Sequence, residues 1–343
     1  MEALMRRPLR HSGWCTLVAS VLLVVPAGTA STTATPSSTA GAREERQVVV
    51  TVTDTATLRP VRGLPASAFA IREDNLDREV LRVEPATAPL QVVLLADTTT
   101  AFTRFVQDLR LSAREFSRAL LAASPGSSVA LWEFGGADIP VVPFTSDPAA
   151  LDDGADKLFP KGTLSNMSAA ERGVAAPPPG ASATQLATLG VSRYSGGQDV
   201  TGSNLLEAVI GASKALAERP RGRRVIVSFN ADASVEASTV QGPAVQEEVR
   251  KAGVTWFAVS LNEKVANGPL RDNVMNVLCP LSGGLRQTIV DIAALAPALR
   301  NLADVLTSQY VVTYARPSGT PTQVLVGIRK EGLRAATFRW APQ

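Results

Sequence analysis

The chain has 343 residues, 45% hydrophobic and 19% charged, with a formal net charge of +3. Arg6, Arg7 and Arg10 against Glu2 put +2 of that charge in the first thirty residues, so the remainder is close to neutral and carries no electrostatic signature of nucleic-acid binding. The single histidine, His11, lies in the same stretch; once it is removed there is no imidazole for a Ser-His-Asp or Cys-His nucleophile, or for a His-ligated metal centre.

Residues 1 to 30 read as a secretory signal. A basic start is followed by an apolar run from about Leu17 to Val25 and by the small residues Ala27-Gly28-Thr29-Ala30-Ser31. The apolar run is too short to span a bilayer comfortably. The expectation is an exported protein, periplasmic or extracellular, with no stable membrane insertion after cleavage; an uncleaved anchor is the alternative. Cys15 lies at the start of the apolar run, whereas a lipid-attachment cysteine belongs at its end. Without Cys15, Cys279 stands alone and an intrachain disulfide is excluded. In Val277-Leu278-Cys279-Pro280-Leu281 it reads as a small buried hydrophobe.

Residues 31 to 46 are rich in Ser, Thr, Ala and Pro and then charged, which predicts a flexible tether. Strands are expected at Val48 to Thr53, Phe69 to Asp74 and Val80 to Val83, with a polar turn at Asn75-Leu76-Asp77. Three more are expected near the other end, at Tyr310 to Tyr314, Val324 to Ile328 and Ala335 to Trp340. Too few strands lie at either end to enclose a core alone, so segment 47–87 and segment 309–343 are expected to build one small β-domain.

Between them, over 88–308, strand and helix alternate, which predicts an α/β fold with a mostly parallel sheet. Gln91 to Ala96 and Arg224 to Phe229 are apolar enough to be strands buried on both faces, and Val254 to Leu261 is a third. Helical spacing links Phe102, Phe105, Leu109, Ala113, Phe116 and Leu120, and Asp147-Pro148 is a capped helix start. A helix after Ser203 stops at Pro220, and the last helical face runs from Ile292 to Leu306. The arginine-rich turn Arg219 to Arg224 reads as a solvated connection. Residues 161 to 200 lack periodicity and are expected to form a long insertion.

Three polar clusters fall at strand ends or helix starts: Asp97-Thr98-Thr99-Thr100, Thr201-Gly202-Ser203-Asn204 and Asn230-Ala231-Asp232. In open α/β sheets ligands settle outside the carboxyl ends of the strands, so these clusters define the candidate site. The arrangement resembles the von Willebrand factor A (VWFA) domain, in particular its bacterial exported subgroup. Pro143-Phe144-Thr145-Ser146-Asp147, Ser282-Gly283-Gly284 and Ser308-Gln309-Tyr310 strengthen the resemblance, which spans roughly residues 47 to 340.

The resemblance implies a Rossmann-like doubly wound sheet and a metal-ion-dependent adhesion site at its top edge. Carried over, Asp97 takes the position of the family's first Asp, Thr99 the first Ser, Ala101 the second Ser, Ser203 the Thr and Asn230 the later Asp. Ala101 removes an oxygen ligand and Asn230 replaces an anion by an amide. A site with one anion is poor for Mg²⁺, which demands six hard oxygens; Asp232 is the available substitute carboxylate. The same residues also suit plainer roles, with the threonines and Ser203 as helix caps and Asn230 and Asp232 as turn formers. The function expected is a non-enzymatic module binding a protein partner, with metal dependence weak or lost. The alternatives are a structural envelope protein without a ligand, and a metal-assisted hydrolase using Asp97 and Asp232.

Overall fold

The computed structural model describes residues 44–135, 139–160, 202–220, 222–232, 235–262, 269–317, 319 and 321–340. The expected signal segment, most of the tether and the expected insertion at 161–200 lie outside them. In chain order the N-terminal half contains β1 (Glu44–Asp54), β2 (Phe69–Glu73), β3 (Leu76–Arg78), β4 (Val80–Pro85), β5 (Leu90–Asp97), α1 (Val106–Ala123), β6 (Ser128–Phe134), β7 (Ile139–Thr145) and α2 (Pro148–Asp156). The C-terminal half continues with β8 (Gly202–Ser203), α3 (Leu205–Ala217), β9 (Arg223–Ala231), β10 (Val235–Glu236), α4 (Gly242–Ala252), β11 (Val254–Leu261), α5 (Pro269–Leu281), β12 (Arg286–Ile289), α6 (Leu295–Thr307), β13 (Tyr310–Arg316), β14 (Val324–Ile328) and β15 (Leu333–Thr337).

The central sheet has the order β12-β11-β9-β5-β6-β7 and is parallel except for its antiparallel edge strand β7. This is the expected doubly wound, mostly parallel α/β layer. Strand alternation divides its core in two. Leu90, Val92, Leu94 and Ala96 of β5 pack with Leu109, Phe116 and Leu120 of α1, Leu151 of α2 and Leu299, Leu302 and Leu306 of α6. Val93 and Leu95 point the other way, onto Leu206 and Val209 of α3, Val245 and Val249 of α4 and Met275 and Leu278 of α5. Each such buried Val, Leu or Phe stabilises the fold by about 1.5–3 kcal/mol relative to exposure.

The helix expected from Phe102 begins later, at Val106. Thr100–Phe105 is a 3₁₀ segment in which Phe102 meets both Phe105 and Phe229 edge-on. Asp147 caps α2 as expected, its Oδ1 accepting the Ala149 N–H at 2.9 Å. Cys279 is buried among the apolar residues of α5 and its neighbours, as expected of a small hydrophobe, and desolvation pushes its thiol pKa upward, disfavouring the thiolate.

The terminal strands pair with one another in two antiparallel sheets, β15-β1-β13-β4 and β14-β2-β3, over a shared core that includes Val50, Val52, Phe69, Ile71, Tyr310, Val312 and Val324. Two details differ from expectation. Glu44, Glu45 and Arg46, placed in the tether, extend β1 because their backbones pair with Arg316, Ala315 and Tyr314 of β13. The hairpin turn is Asp74-Asn75, with φ of 48° and 67°, so Leu76 and Asp77 belong to β3. Behind it, the buried Glu73 carboxylate accepts from Tyr314 Oη at 3.0 Å, Arg316 Nε at 3.0 Å and Arg78 Nε at 3.1 Å.

The arginine turn is not solvated as expected. Arg223 is buried and donates to the carbonyls of Ala88 (2.7 Å) and Leu306 (2.8 Å) and to Gln309 Oε1 (3.1 Å), while Gln309 Nε2 reaches Thr51 Oγ1 (2.9 Å). Arg224 donates to the carbonyls of Ala252, Ala217 and Arg219. These guanidiniums satisfy helix-end and loop carbonyls, and Arg223 links the α/β sheet to β1 through Gln309.

Candidate functional site

Strand β5 stops where its side chain turns from apolar to acidic. Asp97 is fully buried, and its carboxylate folds back on its own loop, Oδ1 accepting the Thr99 N–H at 2.9 Å. Oδ2 accepts the Ala231 N–H at the end of β9, also at 2.9 Å, and the Thr99 side chain adds a further bond. Burial raises the Asp97 carboxyl above its ordinary range; the bonds from Thr99 and Ala231 and the charge of Arg271 oppose that rise.

The neighbouring strand β6 closes the loop from the other side. Thr98 donates through N (2.7 Å) and Oγ1 (3.1 Å) to the Phe134 carbonyl. Gly135 follows with φ of +143°, a conformation suited to glycine, and donates its N–H to Asn204 Oδ1 at 2.9 Å. Asn204 precedes α3, and beside it the buried Ser203 accepts the Leu205 N–H on Oγ at 3.3 Å and the Ala237 N–H on its carbonyl at 2.7 Å. The hydroxyl of Ser203 therefore accepts the first N–H of α3, while the N-cap position itself is taken by Asn204, whose side chain makes no capping bond to the helix.

A continuous set of contacts thus runs from Asn204 through Gly135 and the threonine loop to Asp97 and Ala231. The described residues of the three polar clusters foreseen in the sequence come together at one edge of the sheet; Thr201 lies outside the described residues. Asn230 shares this edge, buried, with Nδ2 donating to Ser260 Oγ at 3.3 Å; its Oδ1 has no hydrogen-bond partner among the described residues. Ala101 is half-buried against the core of α1, α2 and α6. Asp232 accepts from Arg286 Nη2 at 3.3 Å, and Arg286 also binds Asp272 Oδ1 (3.0 Å), Asn276 Oδ1 (3.1 Å) and Ser260 Oγ (3.0 Å). Burial raises the Asp232 carboxyl, Asp272 adds to the rise, and Arg286 and Arg271 counter it.

Arg271 is the buried charged residue of this edge that sequence reasoning missed. It lies in the first turn of α5, is fully buried, and donates from Nη2 to the Ala231 carbonyl at 3.0 Å. One signal could have found it: arginine in a helix's first turn opposes the macrodipole, so it needs an anionic or carbonyl partner elsewhere.

The divalent cation that the resemblance implies does not fit this donor set. Asp97 is engaged by protein donors, Ala101 offers no oxygen, Asn230 brings no charge and Asp232 is held by Arg286. The positive charge of Arg271 lowers both carboxyl pKa values against their burial. Among the described residues no group of three or more His, Cys, Asp or Glu is arranged to hold a metal ion.

No known family model matches the sequence, and no curated protein matches it. Among solved structures the chain is similar to a von Willebrand factor type A from Catenulispora acidiphila, at 12% identity over 80% of this chain and 72% of that one, with a TM-score of 0.44. It is also similar to proximal thread matrix protein 1 from the mussel byssus, at 11% identity over 66% of this chain and 49% of that one, with a TM-score of 0.44. A third likeness is to the SpRpn10 VWA domain, at 10% identity over 64% of this chain and 96% of that one, with a TM-score of 0.41. The chain covers about half of the mussel protein's length.

Proposed function

We propose that this chain is an exported, non-enzymatic interaction module, a diverged relative of the von Willebrand factor A domain, that engages a protein partner through the edge where β5 and β9 end and α3 begins. The observation that carries this reading is the convergence of the Asp97, Asn204 and Ala231 loops into one hydrogen-bonded edge at the carboxyl ends of parallel strands. The Asp97 carboxylate is buried and committed to holding the loops, so recognition falls to the surface they shape. Thr103 and Arg104 stand exposed in the 3₁₀ segment immediately after β5, with Arg104 stacked over the Phe105 ring at 4.6 Å.

The test is crosslinking of the full chain in its native host, compared with the surface variants Thr103→Arg and Arg104→Glu. The expected result is a discrete crosslinked partner that persists in chelator and disappears in both variants, whose melting temperatures stay at the wild-type value. An identical crosslinking pattern in wild type and both variants would replace this reading with a structural role in the envelope.

A further inference from the structure

We propose that the guanidinium of Arg271 is the resident cation of this sheet edge, occupying by charge the role that a bound divalent ion would otherwise have. This assignment does not depend on whether the edge engages a partner. It begins from cost: a fully buried arginine loses its hydration, and such a charge persists in a core only where anions and carbonyl dipoles answer it. The answering groups are placed for that purpose. Nη2 of Arg271 binds the Ala231 carbonyl at 3.0 Å, and the N–H of the same Ala231 binds Asp97 Oδ2 at 2.9 Å. One residue at the end of β9 therefore holds the cation through its oxygen and the anion through its nitrogen. The charge of Arg271 also acts on Asp97 and Asp232 together, lowering both carboxyl pKa values against their burial.

The two altered positions follow from this substitution. A guanidinium brings one positive charge where a divalent ion brings two, so a single carboxylate, Asp97, balances it and a neutral amide suffices at Asn230. Arginine also supplies its own planar set of donors and needs acceptors only, so it does not call on a hydroxyl ligand at Ala101. Arg286 repeats the arrangement one layer outward by holding Asp232 and Asp272, which keeps those carboxylates out of any metal shell.

The experiment measures melting temperature of the full chain with and without millimolar Mn²⁺, in wild type, Arg271→Met, Asp97→Asn and the double variant. The expected outcome is a wild-type melting temperature indifferent to Mn²⁺, and a smaller loss from Arg271→Met in the Asp97→Asn background than in the native one. Equal losses in both backgrounds would overturn the proposal, as would a Mn²⁺-induced rise in wild type that Asp97→Asn abolishes. If Arg271→Met does not fold, Arg271→Gln, which removes the charge and keeps a planar amide donor, makes the same comparison across the two backgrounds with the same reading.

Discussion

Gly135 lies so close to Thr98 that a methyl group on its α-carbon would meet the Thr98 carbonyl carbon at 2.7 Å and the Thr99 nitrogen at the same distance. Both are backbone atoms of the loop that Asp97 holds, so neither can rotate away. Gly135→Ala adds a strained positive φ to that clash, and a loss of about 2–4 kcal/mol in urea unfolding is expected. The variant should also disturb the amide resonances of Thr98 and Thr99 more than those of β13, which lies outside this loop.

Glu73 offers a second test, in the small β-layer. Its carboxylate is buried and receives Arg316, Arg78 and Tyr314, so Glu73→Ala leaves two arginines and a phenol without this acceptor. Breaking a buried pair from one side typically costs about 3–5 kcal/mol, and a loss in that range is expected by denaturant unfolding.

Tyr314 itself is pushed up to about 12 by burial, with Glu73 contributing. Its folded pKa lies above the ordinary value of 10.0, so the folded chain keeps the phenol proton after the unfolded chain has released it. The associated stability is complete below pH 10.0 and is lost as pH rises toward 12. Ultraviolet titration at the tyrosinate band should show one tyrosine ionising late, and Tyr314→Phe should remove that step.

Asp97 follows the same sign at the acid end. Burial raises its carboxyl above the ordinary 3.8, so the folded chain takes up a proton at higher pH than the unfolded chain. The contribution of this group is present below pH 3.8 and declines as pH rises through the folded value. Subtracting the Asp97→Asn melting curve from that of wild type across the acid range should isolate this decline; a difference rising with pH would contradict the assignment.

The arginine turn separates a buried guanidinium from a half-exposed one. Arg223 is lowered to about 10 by desolvation and donates to three oxygens at the junction of the two layers. Arg223→Ala is expected to cost about 2–4 kcal/mol, since buried acceptors lose their donor. Arg219 stacks on Phe144 and reaches Gln91 from a more exposed position, and its alanine variant is expected to cost less than about 1 kcal/mol.

What was legible in the sequence follows from how each element is stabilised. β5, β9 and β11 are buried on both faces, so their composition alone marks them, and the polar residues ending β5 and β9 mark the edge. β12 has four residues, two of them Arg and Gln, and exists through pairing with β11. The apolar face of α5 is short and contains Pro280, which obscures its period. Arg271 was illegible for a related reason: its partner carbonyl and carboxylates come from β5 and β9, and no local pattern in α5 encodes them. Charged residues were misjudged in the same way at Glu44 to Arg46 and at Arg223, where tertiary pairing, invisible to composition, decides the outcome.

Strand β1 lies between β13 and β15, two strands drawn from the last part of the chain. Neither of its long edges can be covered until residues beyond Tyr310 have arrived, so the first segment of this sheet to be synthesised is the last to be enclosed. A nascent or truncated chain would display Val48 to Thr53 as a β-prone ribbon open on both sides, a hazard for self-association until the last strands arrive.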